Sequence, residues 1–198
     1  MYRVILADPP WKPSENFSKS AGRARKHYPY MTVQEICNMP IKQLADDDSV
    51  LILWVIFTQA ENAFKVVKSW GFEYVTGFPW IKTTKQPFVD MFGELVAKPV
   101  YGTGQWVRGC AELIYLCKRG NIPVPHTNFV GLLSERMEHS RKPNNIYEYA
   151  DYFGGKKLEL FARRQHPGWD VFGNEVEGSI DLRPSNTCVQ RTAEERRR

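Results

Sequence analysis

The sequence has few cysteines, and none lies in a metal-binding arrangement. Among the 198 residues the cysteines are Cys37, Cys110, Cys117 and Cys188, and they form no C-x-x-C or Cys/His pair of the kind that zinc sites use. We therefore expect free thiols in a reducing compartment and no metal site.

A long apolar run is also missing. The apolar segment that precedes Asp8 is shorter than a signal peptide requires, and no later run approaches the roughly 20 residues needed to cross a bilayer. We expect a cytoplasmic protein without a membrane partner.

Positive charge is in small excess. There are 27 Lys and Arg against 22 Asp and Glu, a formal charge of +5, and in residues 183–198 five arginines against Glu194 and Glu195 account for +3 of it, which leaves +2 elsewhere. Net charge therefore does not by itself indicate nucleic-acid binding. The length fits one domain over residues 1–178, with residues 179–198 expected to be a disordered basic tail.

The spacing of apolar runs predicts an α/β fold. The continuous run 49–57 is typical of a strand buried on both faces of a parallel sheet. Capping boxes predict helices after Thr32 and Thr58, the second ending at Gly71. Strand, helix and strand in succession indicate a doubly wound, mostly parallel sheet. Further strands are predicted at residues 3–7, 72–82, 112–118, 127–133, 157–162 and 169–172, and a helix at 144–153.

The first predicted strand stops at Asp8, Pro9, Pro10 and Trp11. Two successive prolines can continue neither a helix nor a sheet ladder, so we expect Asp8 at the carboxyl end of the strand, where open α/β sheets bind ligands. The Asp8 carboxylate and the Pro9 carbonyl are acceptors that can hold both hydrogens of a planar amine, and Trp11 can stack on a base. The structural alternatives are an acid that caps a loop and an indole that packs in the core.

Two long irregular segments interrupt the strand pattern. The first is residues 12–27, within which 19–27 contain four basic residues and no acid. Two of them are Arg25 and Lys26, and the segment can contact phosphates or form a solvated surface loop. Residues 83–109 are the second such excursion. Tyr30 and Trp80 are candidates for the walls of a base pocket, with core packing as the alternative.

The tetrapeptide at 8–11 matches the [D/N/S]-P-P-[Y/F/W] signature of S-adenosylmethionine-dependent amino methyltransferases, and the chain resembles the MT-A70 family of adenine-N6 methyltransferases. The resemblance covers residues 2–176 in ordered blocks, which include LWV at 53–55, WIK at 80–82, RKP at 141–143 and ELFAR at 159–163. It implies a Rossmann-like methyltransferase fold with a permuted motif order, in which the target-amine motif comes first and the cofactor strand late.

The resemblance also implies site residues. Asp8, Pro9, Pro10 and Trp11 would be the catalytic set, and Lys142 would pair with the methionine carboxylate of S-adenosylmethionine. The strand predicted at 157–162 leads into FAR at 161–163 instead of F-x-G-x-G, so the dinucleotide-type fingerprint does not apply. His166 is not assigned a ribose contact. The full implied cofactor set is Ala7, Asp8, Lys142, Phe161, Arg163, Asn174 and Glu175.

The implied function is methyl transfer from S-adenosylmethionine to the N6 amine of adenine in nucleic acid. DNA is favoured over RNA, because the chain resembles the compact bacterial and phage members of the family. Two alternatives stay open: a catalytically inactive nucleic-acid-binding partner subunit, and a cytosine-N4 or glutamine-amide methyltransferase, since a similar amine fits the same acceptors. By analogy with the family's paired subunits, a homodimer through residues 83–109 is a further expectation.

Overall fold

The computed structural model describes residues 1–12, 30–84, 88–89, 91–92, 95–96, 98–102, 106–125, 129, 133–135, 142–180 and 182. Arg25 and Lys26, and all of the predicted tail beyond residue 182, lie outside the described residues, so the expectations for them stay predictions. The predicted strand 127–133 lies largely outside them as well.

Within this part of the chain there are nine strands and four helices. The helices are α1 Val33–Cys37, α2 Ile41–Leu44, α3 Ala60–Ser69 and α4 Asn145–Asp151, and a 3-10 turn over Phe57–Gln59 precedes α3. The strands are β1 Tyr2–Ala7, β2 Ala45–Val55, β3 Glu73–Thr83, β4 Phe88–Val89, β5 Leu95–Val96, β6 Ala111–Arg119, β7 Leu133–Glu135, β8 Lys157–Leu160 and β9 Asp170–Phe172.

Seven strands form one sheet in the order β7-β3-β6-β2-β1-β8-β9, and β4 pairs with β5 separately. β1 pairs in parallel with β2 and β8, β8 with β9, and β3 with β7. Only β6 runs against both of its neighbours, β2 and β3. The predicted mostly parallel sheet is confirmed, with β6 as an antiparallel strand that the pattern of apolar residues did not reveal.

Helices cover both faces of the sheet, which confirms the doubly wound architecture. Along β1, Ile5 and Ala7 pack in one core with residues of α1, α2 and α3, whereas Val4 and Leu6 pack in a second core with residues of α4. The same alternation continues along β2, where all residues from Val50 to Val55 are buried. A strand that is apolar at every position therefore has an apolar partner on each side.

The helix ends match the prediction at two positions and differ at one. Thr32 and Glu35 form the predicted capping box at α1, and the hydrogen bonds from Thr32 lower the pKa of the Glu35 carboxyl. Gly71 ends α3 with φ +82°, as expected. The capping box predicted at Thr58 is wrong, because Thr58 lies inside the 3-10 turn and α3 begins one residue later than predicted, behind Gln59, whose side chain makes no cap. The Gln59 amide instead donates to the Lys12 carbonyl at 2.8 Å.

No helix in the described ranges is long and apolar enough to span a membrane.

Cys117 should be the least reactive of the three described thiols. It is fully buried on β6, and burial raises its pKa to about 12, whereas Cys37 and Cys110 are half-buried. Because the thiolate is the nucleophile, iodoacetamide should label Cys37 and Cys110 in the native protein and Cys117 only after denaturation. Peptide mapping by mass spectrometry measures this, and native labelling of Cys117 at the rate of Cys110 would contradict the buried position of β6.

Candidate active site

The carboxyl ends of the central parallel strands meet at one edge of the sheet. Ala7, the last residue of β1, pairs with Leu53 of β2 and with Leu160 of β8, and Leu160 in turn pairs with Phe172 of β9. The residues that follow β1, β8 and β9 therefore emerge side by side. We call this the carboxyl edge, and it is where open α/β sheets bind ligands.

A salt bridge joins the start and the late part of the chain at this edge. The Lys142 Nζ donates to Oδ2 of Asp8 at 2.7 Å, with side chains that are 6% and 28% exposed. The Lys142 Nζ also lies 5.2 Å from the ring centre of Trp54. Lys142 reaches this position because it directly precedes Pro143 and α4, which cover the same face of the sheet. An ammonium buried to this extent needs such compensation.

The turn after Asp8 is held by backbone hydrogen bonds. The Trp11 N–H donates to the Pro9 carbonyl at 2.8 Å, which closes a three-residue turn around Pro10, and the Met31 N–H donates to the Pro10 carbonyl at 2.9 Å. A carbonyl oxygen has two lone pairs, so the Pro9 oxygen can accept a second hydrogen bond. The two prolines thus fix the direction of an acceptor next to the Asp8 carboxylate.

Trp11 packs in the core instead of standing open to a base. Its side chain is 4% exposed, and its indole N–H donates to the Trp54 carbonyl at 3.0 Å. Stacking on a base requires an exposed ring face, so the burial favours the alternative that the sequence left open, an indole that anchors the turn to the end of β2.

The two other aromatic candidates occupy different positions. Tyr30 is half-buried and immediately precedes Met31, which pairs with Trp11 beside the turn. Trp80 is buried on β3, which β6 and β2 separate from β1, and it makes an edge contact with Trp54 at 6.1 Å. Tyr30 is therefore the one of the pair that lies close to the turn.

The loop after β8 is tied to the end of β9. Phe161 has φ +60° and is the one non-glycine residue with positive φ in the described part of the chain. The Ala162 N–H donates to the Phe172 carbonyl at 2.9 Å. A Cβ on Gly173 would lie 1.9 Å from the Ala162 oxygen, so only glycine permits this approach. The contact joins the loop that carries Phe161 and Arg163 to the loop that carries Asn174 and Glu175.

A model of the MT-A70 family matches residues 2–175. The chain belongs to the MT-A70 family. Relatives include the type II methyltransferase M.MunI from Mycoplasma sp, which is 29% identical over 88% of this chain and 78% of its own length. The human N(6)-adenine-specific methyltransferase METTL4 is 31% identical over 88% of this chain and 37% of its own. The human N(6)-adenosine-methyltransferase catalytic subunit METTL3 is 28% identical over 92% of this chain and 30% of its own length. The chain thus spans about a third of the two human relatives.

MT-A70 methyltransferases depend on S-adenosylmethionine in general, and the residues at the carboxyl edge fit that molecule by charge and polarity. The Lys142 ammonium fits the carboxylate of S-adenosylmethionine, and the Asp8 carboxylate fits its positive charge. The exposed Asn174 and Glu175 can form hydrogen bonds with its hydroxyl groups. Trp54 Nε1 is buried on the same face and has no hydrogen-bond partner among the described residues.

Three residues on the face of the sheet that carries the Asp8–Lys142 pair were not predicted from the sequence: Trp54, Tyr147 and Glu159. Trp54 lies in a run that is apolar throughout, so nothing in the sequence distinguishes it from core residues. Glu159 does carry a signal in the sequence, since it is a single acid between leucines in the strand KLEL, and both leucines are buried. A buried charge is informative because it needs a partner.

Gly173→Ala should destabilise the protein by about 1–3 kcal/mol, because the added methyl group cannot fit against the Ala162 backbone. Gly109→Ala is the matched control, since no atom lies within 4 Å of the Cβ position there. Urea denaturation monitored by tryptophan fluorescence measures both variants. Equal stability of the two variants would contradict the close approach between the ends of β8 and β9.

Trp11→Phe should cost about 1–3 kcal/mol of stability, because it removes the donor to the Trp54 carbonyl and part of a buried ring. Trp106→Phe is the control, since Trp106 is 96% exposed and should change stability by less than about 0.5 kcal/mol. Thermal and urea unfolding report the difference. A Trp11→Phe protein as stable as the control would show that the indole does not anchor the turn.

Proposed function

We propose that the protein transfers the methyl group of S-adenosylmethionine to the N6 amine of adenine in nucleic acid, DNA more readily than RNA. The observation that carries this proposal is the Asp8 carboxylate at the carboxyl edge, bonded through one oxygen to a buried Lys142. Membership of the MT-A70 family, whose relatives METTL4 and METTL3 carry N6-adenine or adenosine methylation in their names, supports it.

The proposed reaction requires the protein mainly to orient the adenine amine toward the methyl donor. The exocyclic amine of adenine is a poor nucleophile, because its lone pair is delocalised into the ring. The Asp8 carboxylate would accept one amine hydrogen and the Pro9 carbonyl the other, which turns the nitrogen lone pair toward the methyl donor. Lys142 bonds to Oδ2 only, which leaves Oδ1 of Asp8 for the amine. The nitrogen would gain the methyl group, the methyl–sulfur bond would break to leave S-adenosylhomocysteine, and one amine proton would be released to water.

When bound, S-adenosylmethionine supplies a methyl group on a sulfonium sulfur. In this proposal Lys142 holds its carboxylate, and Ala7, Phe161, Arg163, Asn174 and Glu175 line its remaining part. Tyr30, beside the turn, and the basic residues Arg25 and Lys26 would contact the nucleic acid. A duplex substrate would have its adenine flipped out, at a cost of a few kcal/mol. Such substrates place the protein inside the cell.

The test measures transfer of a labelled methyl group to oligonucleotides of one sequence as single-stranded DNA, duplex DNA and RNA. We expect label in N6-methyladenine, with more in DNA than in RNA. Absence of N6-methyladenine from all three substrates, with S-adenosylmethionine bound, would exclude the enzyme and favour a partner subunit. Label in N4-methylcytosine instead would favour the cytosine alternative.

Asp8→Ala should abolish transfer while cofactor affinity changes by less than about tenfold, or about 1.4 kcal/mol. The reason is that Asp8 orients the amine, whereas the other cofactor residues remain. Asp8→Asn keeps the volume and guards against misfolding around Lys142. Asp47→Ala is the control, because its exposed carboxylate lies near the start of β2 at the opposite edge. Calorimetry reports cofactor binding, and full transfer by Asp8→Asn would disprove the role.

A further inference from the structure

Glu159 is a buried carboxylate that the proposed reaction does not use. It lies on β8 with 4% exposure, between Leu158 and Leu160, which pack in the core on the opposite face. Its Oε2 accepts a hydrogen bond from the Tyr147 hydroxyl at 3.0 Å. A carboxylate costs free energy at such a position unless positive charge offsets it.

Glu159 shares one face of the sheet with the Asp8–Lys142 pair. Leu6 of β1 pairs with Glu159, so Glu159 lies on the neighbouring strand two residues behind Asp8. Trp54, on the other side of β1, packs in the same α4-side core as Leu6 and Tyr147. Lys142 enters from the α4 side and reaches Asp8 over Trp54. The Lys142 ammonium therefore lies on the face that carries two carboxylates from adjacent strands, Asp8 and Glu159. Lys157, on the same face of β8, is paired with Asp151 at 2.8 Å.

The electrostatics agree with this placement. Burial raises the pKa of the Glu159 carboxyl, and Lys142 is the largest influence in the opposite direction, followed by Tyr147, Arg164 and His166. Arg164 is engaged by Asn144 at 3.1 Å, and His166 stacks on the Tyr147 ring at 3.9 Å. Tyr147 is thus held by its ring while its hydroxyl holds Glu159.

We propose that Glu159, held by Tyr147, is a positioning residue that keeps the Lys142 ammonium between Asp8 and the carboxylate of the cofactor. With Asp8 as its sole counter-charge, Lys142 would be held by the residue that must also accept the substrate amine. The second carboxylate weakens that dependence, because it adds negative charge for Lys142 while Asp8 also binds the amine. This inference rests on the proposed function and adds a residue to the same site.

The test is a double-mutant cycle on ligand affinity with S-adenosylhomocysteine as the probe. Glu159→Gln keeps the volume and an acceptor for Tyr147 but removes the charge. It should weaken S-adenosylhomocysteine binding about fivefold or more, because Asp8 then competes more strongly for Lys142. The same substitution in a Lys142→Met background should have less than about a twofold effect, since Glu159 acts through Lys142.

Two comparisons separate positioning from a merely structural role. Affinity for 5′-methylthioadenosine, which lacks the amino-acid part, should be the same in Glu159→Gln and the unaltered protein. Tyr147→Phe removes the hydroxyl that holds Glu159. It should weaken S-adenosylhomocysteine binding less than Glu159→Gln does, and this loss should also disappear in the Lys142→Met background. Three outcomes would each overturn the inference. Glu159→Gln could lose affinity equally for S-adenosylhomocysteine and 5′-methylthioadenosine, its effect could add fully to that of Lys142→Met, or it could lose no affinity at all. Failure of the unaltered protein to bind S-adenosylhomocysteine would instead count against the proposed function.

Discussion

The candidate site depends on a buried ammonium. Lys142 is almost fully removed from water, and its charge is offset by the Asp8 carboxylate at 2.7 Å and the face of Trp54. Breaking such a pair strands a buried charge and costs several kcal/mol, so α4, β1 and β2 must keep their relative positions. The same constraint joins residues 134 positions apart in sequence into one site. A ligand that carries a carboxylate can replace one partner without leaving the cation uncompensated.

The second constraint is the close approach of the loops after β8 and β9. Phe161 adopts a positive φ that a non-glycine residue rarely takes, and Gly173 lies against the Ala162 backbone. Strain of this kind persists only where the surrounding structure enforces it, and it is concentrated at functional sites. Here it joins the loop that carries Phe161 and Arg163 to the loop that carries Asn174 and Glu175 at the carboxyl edge.

Much of the fold was predictable because its signals are local. The Thr32 capping box, the stop at Gly71 and the apolar runs of β1 and β2 each follow from a few neighbouring residues. The capping box predicted at Thr58 shows the limit of a local pattern, because Thr58 lies inside the 3-10 turn and α3 begins behind Gln59, whose side chain bonds to the Lys12 carbonyl. The antiparallel direction of β6 could not be read from its residues, since a strand buried in part on both faces looks alike in either direction.

An acidic strand end followed by two prolines was enough to predict a position at the ligand edge of an α/β sheet, and the ordered sequence blocks were enough to indicate the MT-A70 family. Both follow from backbone chemistry and residue identity. Only the tertiary structure decided that Trp11 is an anchor in the core, that Trp54 underlies Lys142, and that Glu159 faces the same side as Asp8. These facts depend on strand order and register, which arise from packing between residues far apart in the chain and leave no local pattern in it.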